Sequence, residues 1–201
     1  MTEQKISLRR YAPADAAASL RCFERAVRGT ASRDYDPGQI EAWAAVDVEA
    51  WGHRRESVET WVAERDGRLV GFTDLDAEGY IDMMFVDPDA ARTGVASALL
   101  GHLLEVARAR NRRKMTVHAS ITARPFFERH GFEVTAEQRV ALRGSVLTNY
   151  RMRRALSSAS RRTTTSRRSR HPGCDNSNAA AVFIDLGQRL AQPQLRHPVL
   201  E

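Results

Sequence analysis

Long apolar runs are absent from this 201-residue sequence, and no stretch reaches the roughly 20 residues that a helix needs to cross a bilayer. A membrane partner is therefore not expected. Cysteine is scarce: Cys22 and Cys174 have neither metal-ligand spacing nor the density of a disulfide framework, which predicts a reducing compartment and no metal. Lysine is almost missing, at Lys5 and Lys114 alone, so the formal net charge of +6 rests on arginine, a bias that genome composition by itself produces. That charge is unevenly spread: residues 1–156 carry 24 basic and 22 acidic side chains, residues 157–201 carry 7 and 3. So balanced a main portion does not point to nucleic acid. The opening MTEQKISLRRY lacks the apolar core of a secretory signal, which argues for the cytoplasm. No internal repeat is visible, which sets solenoids and propellers aside.

What is present reads as one mixed domain. ISLRRY at 6–11 alternates as a strand, and Pro13-Ala14-Asp15 introduces an Ala-rich helix carrying Leu20, Phe23 and Val27. Residues 28–59 are the least regular, with Tyr35, Trp43 and Trp51 among turn residues and charges, although IEAWAAVDVEAW reads as helix. WVAERD and RLVGFTDL form a hairpin across Asp66-Gly67. Glu78-Gly79 leads into a strand over 80–86, KMTVHA at 114–119 alternates, and ITARPFFERHGF holds a short helix stopped by Gly131. A final strand pair is expected at 133–142 and 146–152. The fold class is α/β of the α+β kind, a mixed, mostly antiparallel central sheet flanked by helices.

The domain is placed at 1–156. Beyond Leu156 the composition turns to SSASRRTTTSRRSRHPGCDNSN, too polar to bury a core, so 157–201 reads as a disordered Arg/Ser/Thr-rich tail. Within it AAAVFIDLGQRLAQ has the pattern of one short amphipathic helix.

The most informative stretch is IDMMFVDPDAARTGVASALLGHLLEVA, starting at Ile81. An apolar strand closes at Asp87-Pro88, and apolar residues then recur at Val95, Leu99, Leu100, Leu103, Leu104 and Ala107, which is helical spacing. The first amides of a helix lack intrahelical acceptors and sit at the positive end of its dipole, so residues 92–97 offer backbone donors to an anion. Gly94 permits close approach and Arg92 adds a fixed charge.

This element order resembles the GNAT superfamily of N-acetyltransferases over residues 6–154. The family signature Gln/Arg-x-x-Gly-x-Gly/Ala after a Val-x-Pro turn is matched by Pro88, Gly94 and Ala96, with Ala91 in the usual Gln/Arg place. A second landmark, a helix ending Phe/Leu-Tyr-x-x-x-Gly-Phe, is matched by Phe126-Phe127-Glu128-Arg129-His130-Gly131-Phe132. The resemblance implies acetyl-CoA as co-substrate, its pyrophosphate on the amides of Arg92, Thr93, Gly94, Val95, Ala96 and Ser97. It also implies a pantetheine arm running like an extra strand beside Phe85 and Val86, with Ser120 and Phe127 nearby.

Acetyl transfer to an amine needs a neutral amine, a stabilised oxyanion and often an acid for the leaving thiolate. The resemblance puts a backbone amide at Phe85 or Val86 against the thioester carbonyl. Strict alternation over 80–86 places Tyr80, Asp82, Met84 and Val86 on one face and Ile81, Met83 and Phe85 on the other. Asp82 is the candidate base, directly or through a water, against the alternative of a salt-bridged carboxylate. The family's frequent acid, a Tyr, is Phe127 here and cannot donate a proton. Tyr150 on the last strand is the candidate acid in its stead, ahead of His118 and Ser120. Tyr80 and Tyr35 are candidate acceptor contacts, Tyr35 because Asp34-Tyr35-Asp36-Pro37 reads as an exposed turn, whereas Trp43 and Trp51 read as packing.

The expected reaction is transfer of acetyl to a primary amine of a small molecule or peptide within a ternary complex. The alternative is a catalytically weak coenzyme-binding regulatory module, which Phe127 and Ala91 allow. The sequence leaves homodimerisation open.

Overall fold

The computed structural model describes residues 5–156. The tail and short helix expected in 157–201 lie outside the described residues. Strand β1 (Ser7–Arg10) leads through a 3-10 turn into helix α1 (Ala16–Gly29). The irregular segment resolves into two helices, α2 (Pro37–Ala44) and α3 (Val48–Ser57). They are separate because each has its own N-cap: Asp36 accepts from Gln39 N, and Asp47 accepts from Glu49 N and Ala50 N. The chain continues through β2 (Glu59–Arg65), β3 (Arg68–Leu75), β4 (Tyr80–Ile81) and β5 (Met84–Val86). It ends with α4 (Val95–Ala109), β6 (Lys114–Ser120), α5 (Arg124–Arg129), β7 (Glu133–Leu142) and β8 (Ser145–Ala155). No helix among the described residues is long and apolar enough to cross a membrane.

The strands form two four-stranded sheets, ordered β1-β2-β3-β5 and β4-β6-β8-β7. Every pairing is antiparallel except β4 with β6. Hairpins β2–β3 and β7–β8 turn on left-handed pairs, Asp66 (φ 52°) with Gly67 (φ 72°) and Arg143 (φ 45°) with Gly144 (φ 82°), the geometry that matches strand twist. Helices α4 and α5 cover one face, where Leu99, Leu100, Leu103 and Phe127 pack on Ile81, Met84, Val86 and Val117. Helices α1, α2 and α3 cover the other, where Phe23, Trp43 and Trp51 pack near Phe72, Met83 and Phe85. At Gly71 a Cβ would stand 2.9 Å from Phe85 O and 3.0 Å from Val95 Cγ1, so the absent side chain is what lets α4 close on β3.

One expectation is corrected. The run 80–86 is not a single alternating strand but two short ones, broken at Asp82 and Met83. Ile81 therefore joins Met84 and Val86 in one core, and Met83 joins Phe85 in the other. The cause is a side chain from β3: Asp74 Oδ1 accepts from both Asp82 N and Met83 N at 2.9 Å, taking amides that a continuous ladder would use.

Candidate active site

The break opens a gap between the sheets. Strand β5 pairs only with β3, and β4 pairs with β6 only at Tyr80–Thr116 and Ile81–Val117. His118, Ala119 and Ser120 extend β6 past β4, and no strand among the described residues pairs with them on that side. No strand pairing among the described residues therefore joins β5 to this end of β6. Asp74 N donates to Met83 O (3.0 Å) and Asp87 N to Val70 O (2.9 Å), so the alternation of an antiparallel ladder turns the N–H and C=O of Phe85 toward β3. Met84 and Val86 turn theirs toward the gap. Of the two residues named for the thioester carbonyl, Val86 offers its backbone there. Phe85 instead packs its ring 4.9 Å from Phe23.

At one end of the gap, Gly94 (φ 88°) caps α4, and the first helical bond to it runs from Ala98 N to Gly94 O (2.9 Å). The amides of Val95, Ala96 and Ser97 precede that bond and have no intrahelical acceptor. Arg92 (φ 62°), Thr93, Gly94 and Ser97 are exposed around them. The loop is held from β2, where Arg65 Nη2 donates to Thr93 Oγ1 (2.8 Å), while Thr93 Oγ1 donates to Ala90 O (2.7 Å). Ser97 Oγ lies 3.4 Å from Nε2 of His130, whose Nδ1 sits 2.8 Å from Phe126 O; this places the end of α5 beside the start of α4. The nearby acids Asp87 and Asp89 are paired to Arg25 (3.0 and 2.7 Å). Helix-start amides ringed by exposed residues and flanked by neutralised acids suit an anion such as a diphosphate. The buried, unpaired edge of β5 suits an extended amide-bearing arm. The residues present therefore fit acetyl-CoA.

On the α3 side lies a charged cluster that the sequence did not reveal. Arg55, fully buried, donates from Nη1 to Asp74 Oδ2 at 2.6 Å. Arg54 Nη2 donates to Asp82 Oδ2 at 2.6 Å, with Arg55 Nη2 at 3.8 Å from the same oxygen. Asp82 is 5% exposed, and its Oδ1 is buried without a hydrogen-bond partner. The candidate base is thus both salt-bridged and left with one open lone-pair site. Burial pushes the Asp74 carboxyl up to about 6, against the pull of Arg55 and the bulge amides. The sequence signal for this cluster was an aspartate in the otherwise apolar end of RLVGFTDL.

The other expected residues divide. Tyr35 is corrected: it is buried, not exposed, and its hydroxyl donates to Thr148 O (2.6 Å) and accepts from Ile121 N (3.0 Å). Burial raises its phenol well above the ordinary value. Tyr80 is half-buried with its ring 5.4 Å from His118. Tyr150 pairs with Ala119 near the open end of β6, under the Arg124 guanidinium at 4.5 Å from its ring. Ser120 is fully buried and its Oγ accepts from Ala123 N (3.1 Å), starting the turn into α5. Phe127 is buried between Phe126 and Phe132, at 5.1 and 4.9 Å. Trp43 and Trp51 are core residues; Trp51 Nε1 donates to Ser19 Oγ (3.0 Å).

Beside Met83, a cavity of about 150 Å³ is lined by Val46, Asp47, Ala50, Trp51, Arg54 and Arg143.

A family profile described as an acetyltransferase (GNAT) domain matches residues 31–154, and the chain belongs to this family of N-acetyltransferases. The chain is 46% identical over 148 residues to YafP of Escherichia coli K12, described as an uncharacterized N-acetyltransferase; the match spans 74% of this chain and 95% of that protein. It is 33% identical to a GCN5-related N-acetyltransferase from Rhodopseudomonas palustris, whose crystal structure superposes with a TM-score of 0.74 over 78% of this chain and 99% of that one. YncA from Salmonella typhimurium, solved with acetyl-CoA, shares the fold at 21% identity and a TM-score of 0.58, over 80% of this chain and 99% of its own.

Proposed function

We propose that the chain transfers the acetyl group of acetyl-CoA to a primary amine of a small molecule or peptide, by direct attack within a ternary complex. The observation that carries this reading is the gap between β5 and β6, where no strand pairing joins the two, the backbone of Met84 and Val86 faces the opening and the N-terminus of α4 lies at one end. Acetyl-CoA supplies the activated acyl group. The amides of residues 92–97 hold its diphosphate, and the outward-facing backbone of Met84 and Val86 lines its arm. The Val86 amide stabilises the oxyanion that forms when the amine nitrogen attacks the carbonyl carbon. Asp82 accepts the proton released by the amine through its open Oδ1, and Arg54 keeps the carboxylate oriented. Collapse of the intermediate breaks the C–S bond, and Tyr150 donates a proton to the leaving thiolate. Base and acid belong to opposite faces of the sheet, Asp82 to the α3 side and Tyr150 to the α5 side.

The test is thiol release from acetyl-CoA with a panel of primary amines. Amine-dependent release supports the reading. Coenzyme binding with no release for any amine favours the regulatory alternative, and no binding overturns both.

A further inference from the structure

The cavity beside Met83 has a mixed lining that narrows the acceptor. Val46, Ala50, Trp51 and Met83 make its walls apolar, and its 150 Å³ corresponds to about five water volumes, room for a branched four-carbon side chain. Two guanidinium groups border it. Arg54 is paired with Asp82. Arg143, at the tip of the β7–β8 hairpin, is fixed by a bond from Nη1 to Ala42 O (3.0 Å) and has no acidic partner among the described residues. Asp47 is engaged at the start of α3 through Oδ1, on Glu49 N and Ala50 N. Among the described residues, Asp82 Oδ1, on the residue preceding Met83, is a buried carboxylate oxygen without a hydrogen-bond partner. An unmatched cation in the lining, and an unmatched acceptor on the residue before Met83 that is paired to the lining Arg54, complement a ligand that carries both charges.

We propose that this cavity takes the apolar side chain of a zwitterionic acceptor, a free α-amino acid. Its carboxylate meets Arg143 and its amino group is directed at Asp82. The assignment rests on the acetyl-transfer reading and specifies its acceptor. In the reaction the C–N bond forms at the α-amine and the C–S bond breaks. The bound ammonium first loses one proton to solvent and the neutral amine attacks; the proton released from nitrogen as the amide forms passes to Asp82, and the leaving thiolate takes a proton from Tyr150.

The test compares leucine, leucinamide and 3-methylbutylamine, which share a side chain and differ at the carboxylate. Leucinamide is the better free nucleophile at neutral pH because its ammonium loses a proton more readily, so a preference for leucine reports the cavity. The expected kcat/KM for leucine exceeds that of leucinamide by about tenfold or more. Arg143→Gln raises the KM for leucine by about the same factor and erases the preference, and Arg143→Lys, which keeps the charge, restores part of it. Equal or better use of leucinamide or 3-methylbutylamine overturns the proposal, as does a preference that survives Arg143→Gln. If none of the three is acetylated while acetyl-CoA binds, the acceptor assignment fails and the coenzyme reading stands. If acetyl-CoA does not bind, both fail.

Discussion

The hydroxyl of Tyr35 occupies the place where Ile121 and Thr148 would bond to each other. Leu156 N donates to Arg113 O, and counting in twos along the β6–β8 register makes Ile121–Thr148 the next hydrogen-bonded pair beyond Ala119–Tyr150. Tyr35 instead accepts from Ile121 N and donates to Thr148 O. A side chain from the loop before α2 thus ends the ladder just past β6, beyond the stretch that pairs with β4. Together with Asp74 at the bulge, it sets both borders of the site from outside the strands that form it.

Tyr35→Phe removes this bridge and leaves a buried amide and carbonyl to re-pair or remain unsatisfied. The expected loss is about 1–3 kcal/mol in urea denaturation, with faster hydrogen exchange at Ile121. Unchanged stability and exchange would show that the ladder closes without help.

Asp82→Asn keeps the volume and removes the proposed base. A fall in kcat of about 100-fold, with little change in the KM for acetyl-CoA, is expected in single-turnover and steady-state assays. Retained kcat would leave Asp82 a structural partner of Arg54.

Asp74 gives stability a pH dependence of defined sign. Its folded value is raised to about 6 from a reference of 3.8, chiefly by burial, so between these values the folded state holds the proton more tightly than the unfolded state. Its contribution therefore falls as pH rises through this window and levels off above about 6, by roughly 1–3 kcal/mol. Denaturation between pH 4.5 and 7.5 should show this decline in the native protein and a shallower one in Asp74→Asn. Parallel curves would contradict it.

Gly94→Ala introduces a Cβ with open space around it, the nearest atom being Ile6 Cδ1 at 4.0 Å, so its effect comes from backbone conformation. At φ 88° an L-residue costs about 1–2 kcal/mol. Thermal denaturation should register that loss, and calorimetry should show weaker coenzyme binding as the cap relaxes. An unchanged affinity would detach the cap from binding.

Much of the frame was legible because local chemistry fixes it. Asp66-Gly67, Gly131 and the Val95-to-Ala107 periodicity each mark their element without help from distant residues. The first amides of α4 were equally readable, since they follow from where the helix begins. The bulge was not: Ile81, Met83, Met84, Phe85 and Val86 are all buried, so hydrophobicity carries no sign of which face each takes. What breaks the alternation is Asp74, eight residues before Asp82, and Arg55 behind it on α3. Tyr35 was misjudged because Asp34, Asp36 and Pro37 describe a turn correctly but say nothing of the ring between them. Arg143 reads as a hairpin residue until the fold brings it to Trp51 and Met83.

The central claim is that unpaired amides at the edge of β5 and the start of α4 grip the coenzyme. Hydrogen–deuterium exchange with and without saturating CoA tests it most directly. Slowed exchange is expected at Met84, Val86 and residues 92–97, with the β7–β8 hairpin little changed. Binding without protection at either segment would contradict it.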